Sequence, residues 1–256
     1  MNELTKSFQI QLRVIGALLM REILTRFGRH NIGFLWMIFE PMMFTLGVTV
    51  LWLATSHKEG NLSVIAFVLT GYSSVVLWRN CANRCALAIT PNLTLLYHRN
   101  VKVLDIFIAR IILEAAGATI SFMTLLIIMC FIGVLAWPVS PFTMIIGWLL
   151  LFYYSAALGI LVGVVSERSE LFERFWHVAT YLLFPVSGAL YVVDWLPKKA
   201  QDIVLMLPSV HATEMIREGY YGPVATFHYD INFVLITCSV MLFIGLLTLR
   251  KTVKLI

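Results

Sequence analysis

Charge is what this sequence has least of. Only 13% of its 256 residues are Asp, Glu, Lys or Arg, against 60% hydrophobic residues, where a soluble domain of that length carries roughly a quarter charged residues. So little charge needs an apolar solvent, and with a mean hydropathy of +0.86 the chain reads as a polytopic membrane protein. No stretch is polar or long enough for a second, soluble domain. The phosphate-binding pattern G-x-x-x-x-G-K-[ST] is absent, which excludes ATP binding by a P-loop on this chain. Neither a zinc-protease motif nor Gly-x-Ser-x-Gly occurs, and the six histidines are scattered, so no catalytic residues are proposed. The four cysteines (Cys81, Cys85, Cys130 and Cys238) lie in or beside apolar runs. Cys81 and Cys85 stand four apart and could make half a metal site, but partner ligands are lacking. Small apolar packing residues are the better reading, and no metal is expected.

What the sequence has in abundance is long apolar runs. A bilayer-spanning helix needs about 20 such residues, and the weakly charged windows place six spans near 34–54, 62–82, 110–136, 142–165, 174–193 and 231–250. The charge-free window 115–166 must cross twice, with its break at Trp137-Pro138-Val139-Ser140-Pro141. The expected fold is an all-α integral membrane protein forming a single transmembrane domain over 1–256. Six spans put both termini on one side. All of the 19 lysines and arginines except Lys58, Lys198, Lys199 and Arg217 fall on that side, which the positive-inside rule assigns to the cytoplasm. Topology thereby accounts for most of the net charge of +5, and nucleic acid is not an expected partner.

The segment Met20–Pro41 marks entry into the membrane. Before it, Phe8, Leu12, Ile15, Leu19, Ile23 and Phe27 recur at helical spacing, so 7–30 is expected to be an amphipathic helix in the cytoplasmic interface. It could be a plain anchor or a docking surface. Glu40 lies about 10 Å into the first span, at 1.5 Å per residue. A carboxylate at that depth calls for a partner, for which Arg79 and Arg84 are the candidates. Pro41 beside it suggests a kink, so Glu40 and Pro41 read as a hinge or buried pair. Arg110 and Glu114, four apart, are expected to pair. Gly159 and Gly163 allow close helix packing. The charged turn Ser166-Glu167-Arg168-Ser169-Glu170 reads either as a docking contact or as a solvated turn. Between Asp194 and Asp230, Pro197, Pro208 and Pro223 divide pieces too short to span; two re-entrant half-helices over 197–222 are expected.

Arg21-Glu22, Thr25-Arg26-Phe27-Gly28, Gly33, Leu35-Trp36 and Glu40-Pro41 occur in an order that resembles the start of ABC-2-type polysaccharide export permeases. The likeness continues in Asn100–Asp105 and Ile108-Ala109-Arg110. It is strongest in Val186-Ser187-Gly188-Ala189, Val193-Asp194-Trp195-Leu196-Pro197, His211-Ala212-Thr213-Glu214-Met215 and Glu218-Gly219-Tyr220. Over nearly its whole length the chain is similar to the capsular-polysaccharide exporter permeases of Gram-negative bacteria.

That resemblance implies a homodimer around a channel in the inner membrane, paired with two copies of a cytoplasmic ABC ATPase. ATP and Mg would sit on that ATPase, leaving this chain without a cofactor and without enzymatic activity. The substrate would be a lipid-linked capsular polysaccharide, handed to periplasmic and outer-membrane export proteins. It also implies a coupling helix at 92–100. Residues expected at the ATPase contact are Arg21, Glu22, Arg26, Leu95, Tyr97, His98 and Arg99. Trp78, Arg79, Arg84, Tyr153, Tyr154 and Trp195 would combine charge with faces that stack on sugars along the channel. Pro208, Glu214, Arg217 and Tyr220 would form an external gate. A permease for another glycan (O-antigen or teichoic acid), or for a lipid or drug, fits the same pattern less closely. So, from a different class, does an ATPase-independent carrier or a membrane-bound transferase.

Overall fold

The computed structural model describes residues 3–27, 32–54, 62–96 and 100–253, and among these all regular structure is helical, with no strand. Helix α1 spans Glu3–Phe27 and α2 spans Ile32–Ala54, running through Pro41. Next comes α3, Val64–Cys85. Leu87, at φ 49°, turns the chain into a 3-10 turn at Thr90–Asn92 and the single turn α4, Leu93–Leu96. Helix α5, Val103–Phe131, starts well before the span expected from 110. The Asp105 carboxylate accepts from the Lys102 N–H at 2.8 Å, capping two turns that lie outside the apolar run. Gly133, at φ 79°, follows its end.

Two of the prolines start helices, whereas α5 ends at Phe131, six residues before the expected break at Trp137. Pro141 opens α6, Pro141–Ser166, whose first-turn N–H would be unpaired in any case. Ser169 caps α7, Glu170–Val186, by accepting from Phe172 N–H at 3.2 Å. That helix ends before the expected 193, because the chain turns at Gly188 with φ 85°. Two short helices follow, α8 at Lys198–Val204 and α9 at Pro208–Tyr221, the latter closed by Gly222 at φ 62°. Asp230 caps α10, Ile231–Val253, accepting from the N–H groups of Asn232 and Phe233. Among the described residues four stretches are long and apolar enough to cross a membrane: α3, α5, α6 and Ile231–Thr252 of α10.

Helix α6 is the axis of the bundle, with α3, α9 and α10 packed against it. In an apolar solvent, tight helix association depends on small residues that let backbones approach. A Cβ on Gly163 would lie 2.8 Å from the Cys85 carbonyl oxygen, and one on Gly219 would lie 2.4 Å from Met144 N. The first contact closes α6 on α3 and the second closes α9 on α6. Between α5 and α6 the rings of Phe122 and Trp148 stack at 4.6 Å, and Trp148 Nε1 donates to Thr119 Oγ1 at 2.9 Å.

Candidate functional sites at the two ends of the bundle

The basic end gathers α1, the turn after α3, the start of α5 and the turn between α6 and α7. Arg21 donates to Asn92 Oδ1 at 2.6 Å, and Asn92 in turn donates to the Ala88 carbonyl at 2.8 Å. Arg21 thereby holds the turn that precedes α4. Glu22 pairs with Arg110 at 3.2 Å, and Arg110 also donates to the Arg84 carbonyl at 2.7 Å. Arg84 pairs with Glu114 at 3.4 Å. Two expectations are corrected here. Arg110 reaches α1 rather than its neighbour Glu114, because Glu114 faces α3 one turn further along. Arg84 is consequently engaged with Glu114 and not with Glu40. Leu95 is half-buried, whereas Leu93 and Thr94 of the same turn are exposed. Tyr97, His98 and Arg99 lie outside the described residues, as do the side chains of Arg26 and Pro41.

Between α2 and α3 is a polar cavity of about 210 Å³, walled by Glu40, Tyr72, Arg79, Asn80 and Asn83 together with Phe44 and two valines. Glu40 and Arg79 share this space without forming an ion pair. The Arg79 guanidinium instead lies over the Tyr181 ring at 4.7 Å, and Trp176 Nε1 donates to Asn83 Oδ1 at 2.9 Å. Helix α7 is thus held to α3 beside the cavity. Glu40 and Phe44 also border an apolar groove along α2 formed by Trp36, Met43, Gly47, Val48 and Leu51.

The residues expected along a channel are not brought together. Arg79 lines the cavity, but Trp78 and Tyr154 are buried in the core. Tyr153 shares a hydrogen bond with Ser239 on α10 at 2.9 Å. Trp195 stacks on Phe67 at 5.5 Å, at the opposite end.

At that opposite end, Pro208, Glu214, Arg217 and Tyr220 all lie on α9 and all are buried. The Arg217 guanidinium donates to the carbonyls of Gly188 and Ala189 at 2.7 Å each, and to that of Tyr191. It also lies 4.0 Å from the Phe67 ring centroid. A Cβ on Gly71 would come within 2.6 Å of it, so only glycine leaves room there. Glu214, 3.8 Å from Arg217, accepts from the N–H groups of Val193 at 3.4 Å and His228 at 3.2 Å.

Burial pushes the Glu214 carboxyl up to about 7 in spite of Arg217, and draws Arg217 down to about 10 in spite of Glu214. His211 is held below its ordinary value, chiefly by burial. Its Nδ1 accepts from Asp230 N–H at 2.9 Å, leaving Nε2 to donate to the Leu205 carbonyl at 2.7 Å. Tyr220 donates to Ala136 and Tyr221 to Ser63, tying α9 to two neighbouring loops. The motifs around 186–197 and 211–220 therefore meet in one network. The proximity of Glu214 and Arg217 was visible in their spacing of three; the carbonyl cage that receives Arg217 was not.

Among the described residues no three His, Cys, Asp or Glu side chains are grouped to hold a metal ion. Both ends hold elements together, one by buried charge and one by half-exposed links.

The sequence pattern of the ABC-2 type transporter family matches residues 13–221. The chain is 41% identical over 250 residues to the capsule polysaccharide export inner-membrane protein BexB of Haemophilus influenzae, covering 97% of this chain and 94% of that one. It is 41% identical over 251 residues to the corresponding protein CtrC of Neisseria meningitidis serogroup B, with the same coverage. The polysialic acid transport protein KpsM of Escherichia coli is 29% identical over 248 residues, 95% of each chain. A match across most of the chain, with its most specific motifs converging in one buried network, makes this protein a member of the ABC-2 type transporter family.

Proposed function

We propose that this chain is the membrane-spanning permease subunit of an ATP-driven exporter that moves lipid-linked capsular polysaccharide from the cytoplasm to the periplasm. The observation that carries this reading is 41% identity, over 97% of the chain, to proteins named for capsule polysaccharide export at the inner membrane. The absence of a P-loop supports a division of labour in which two copies of a separate ABC ATPase bind ATP and Mg. Two copies of this chain would form the channel, each with six spans and cytoplasmic termini, and with α8 and α9 re-entering from the periplasmic side. The distribution of basic residues supports that orientation.

In this reading the basic end receives the ATPase through α1 and the α4 turn, and Arg21 and Glu22 are already engaged with the segments that would have to move. Polymer contacts narrow to the polar cavity at Arg79, Asn80 and Asn83, and the apolar groove beside it suits a lipid tail. Periplasmic and outer-membrane export proteins would take the polymer onward. The test is affinity purification of the chain beside candidate ABC ATPases, followed by polymer uptake into inverted vesicles. ATP-dependent uptake of a capsule polymer is expected. Failure of any ATPase to co-purify, with uptake independent of ATP, would overturn the reading.

A further inference from the structure

The last residue of α6 and the three-residue turn that leads to α7 together hold three elements: the turn after α3, the end of α10 and the start of α7. Ser166 Oγ accepts from Leu87 N–H at 3.2 Å. The Glu167 carboxylate accepts from the N–H groups of Ile89 and Thr90 and from Thr90 Oγ1, the last at 2.7 Å. Arg168 donates from Nε to Thr252 Oγ1 at 2.7 Å and from Nη2 to the Thr248 carbonyl at 3.2 Å, both near the end of α10. Ser169 caps α7. Leu87 sits at φ 49°, a conformation a leucine rarely adopts without support. Its N–H is tied to Ser166, so the unusual turn is shaped around the α6–α7 junction.

We propose that this junction receives the coupling stroke, with Glu167 as its positioning residue. Glu167 fastens the turn at Ala88–Leu96 to the end of α6, so that the two move as one body. Arg168 and Ser169 carry the displacement on to α10 and α7. The proposal rests on the ATP-driven reading above and adds where the force enters the bundle. Three hydrogen bonds to one carboxylate make a stiff link, because bonds to a charged acceptor are the strong ones. On the far side of the same turn, Arg21 grips Asn92. A push on the exposed Leu93 and Thr94 is therefore shared between α1 and the α6–α7 junction rather than lost in bending the turn.

The experiment measures polymer moved per ATP hydrolysed by the full exporter in vesicles, together with ATPase co-purification. Glu167→Ala is expected to keep the ATPase bound and hydrolysing while the ratio falls about tenfold, the scale of losing hydrogen bonds to a charged group. Thr90→Cys with Glu167→Cys should be equally uncoupled, and a short thiol-to-thiol bridging reagent should restore most of the ratio. A contact that merely stabilised the fold would not respond to the bridge. An unchanged ratio in Glu167→Ala, or no recovery on bridging, overturns the proposal.

If removal of the carboxylate depletes the chain from the membrane, Leu87→Cys with Ser166→Cys is oxidised with Glu167 intact. Transport undiminished by that bond supports one moving body, and transport blocked by it overturns the proposal. Absence of ATP-dependent transport in the unaltered exporter would be a failure of the proposed function instead.

Discussion

The two ends of this bundle hold their charges in opposite ways. At the α9 end, Glu214 and Arg217 have side chains with no exposure at all, and both terminal nitrogens of the guanidinium donate to backbone carbonyls while its Nε is buried without a hydrogen-bond partner. At the basic end the pairs are split: Arg84 is 50% exposed and Arg110 and Glu22 are 15% and 24% exposed. A buried pair is expensive to break because a lone charge is left without water. A half-exposed pair can be exchanged for water at small cost. The difference lies in the cost of rearrangement: the pair at the α9 end is expensive to separate, and the pairs at the basic end are less so.

The sharpest way to break the contrast is at Arg217. Arg217→Ala strands Glu214 and three carbonyls and should cost about 3–5 kcal/mol, measured by thermal unfolding in detergent. A loss below that of a surface substitution would mean that the α9 end is wetter than its geometry indicates. Next in size is Gly219→Val. Its Cβ would press on Met144 N at 2.4 Å, and overpacking of this kind costs about 1–3 kcal/mol. Stability and transport should fall together here.

At the basic end the two readouts should separate. Glu22→Ala and Arg110→Ala should each cost less stability than Arg217→Ala, yet reduce polymer moved per ATP. A double-mutant cycle should give Glu22 and Arg110 a larger coupling than Arg110 and Glu114; the reverse would restore the local pairing that spacing alone suggests.

The contrast can also be sharpened through pH dependence. Burial raises the Glu214 carboxyl from an ordinary 4.5 to about 7, with Arg217 and His228 opposing. The folded chain therefore keeps this proton at a pH where the unfolded chain has lost it. The resulting stabilisation is complete below about 4.5 and is lost as pH rises towards 7. The unfolding temperature of the unaltered chain should decline across that window, and Glu214→Gln should flatten the decline. A steeper slope in the variant would reverse the assignment.

Much of the architecture was legible because it is local. Pro141 starts α6, although α5 has already ended at Phe131, ahead of Gly133, rather than at Pro138, and apolar length marks α3, α5, α6 and α10 as long enough to cross. The site was legible only as a set of motifs. Trp78 and Tyr154, which look like sugar-stacking residues in the sequence, are core packing because α3 and α6 turn those faces inward.

By itself the sequence determined the solvent and the start of α6 at Pro141, since these follow from composition and from constraints within a turn or two. Tertiary structure alone decided that Arg110 answers Glu22, that Arg217 enters a cage of carbonyls from 188–191, and that Glu167 holds Thr90. Periodicity reports which face of a helix is apolar, but a partner is chosen by how two helices cross. In this bundle the crossings are set by backbone contacts at Gly163 and Gly219, whose consequences lie tens of residues away along the chain.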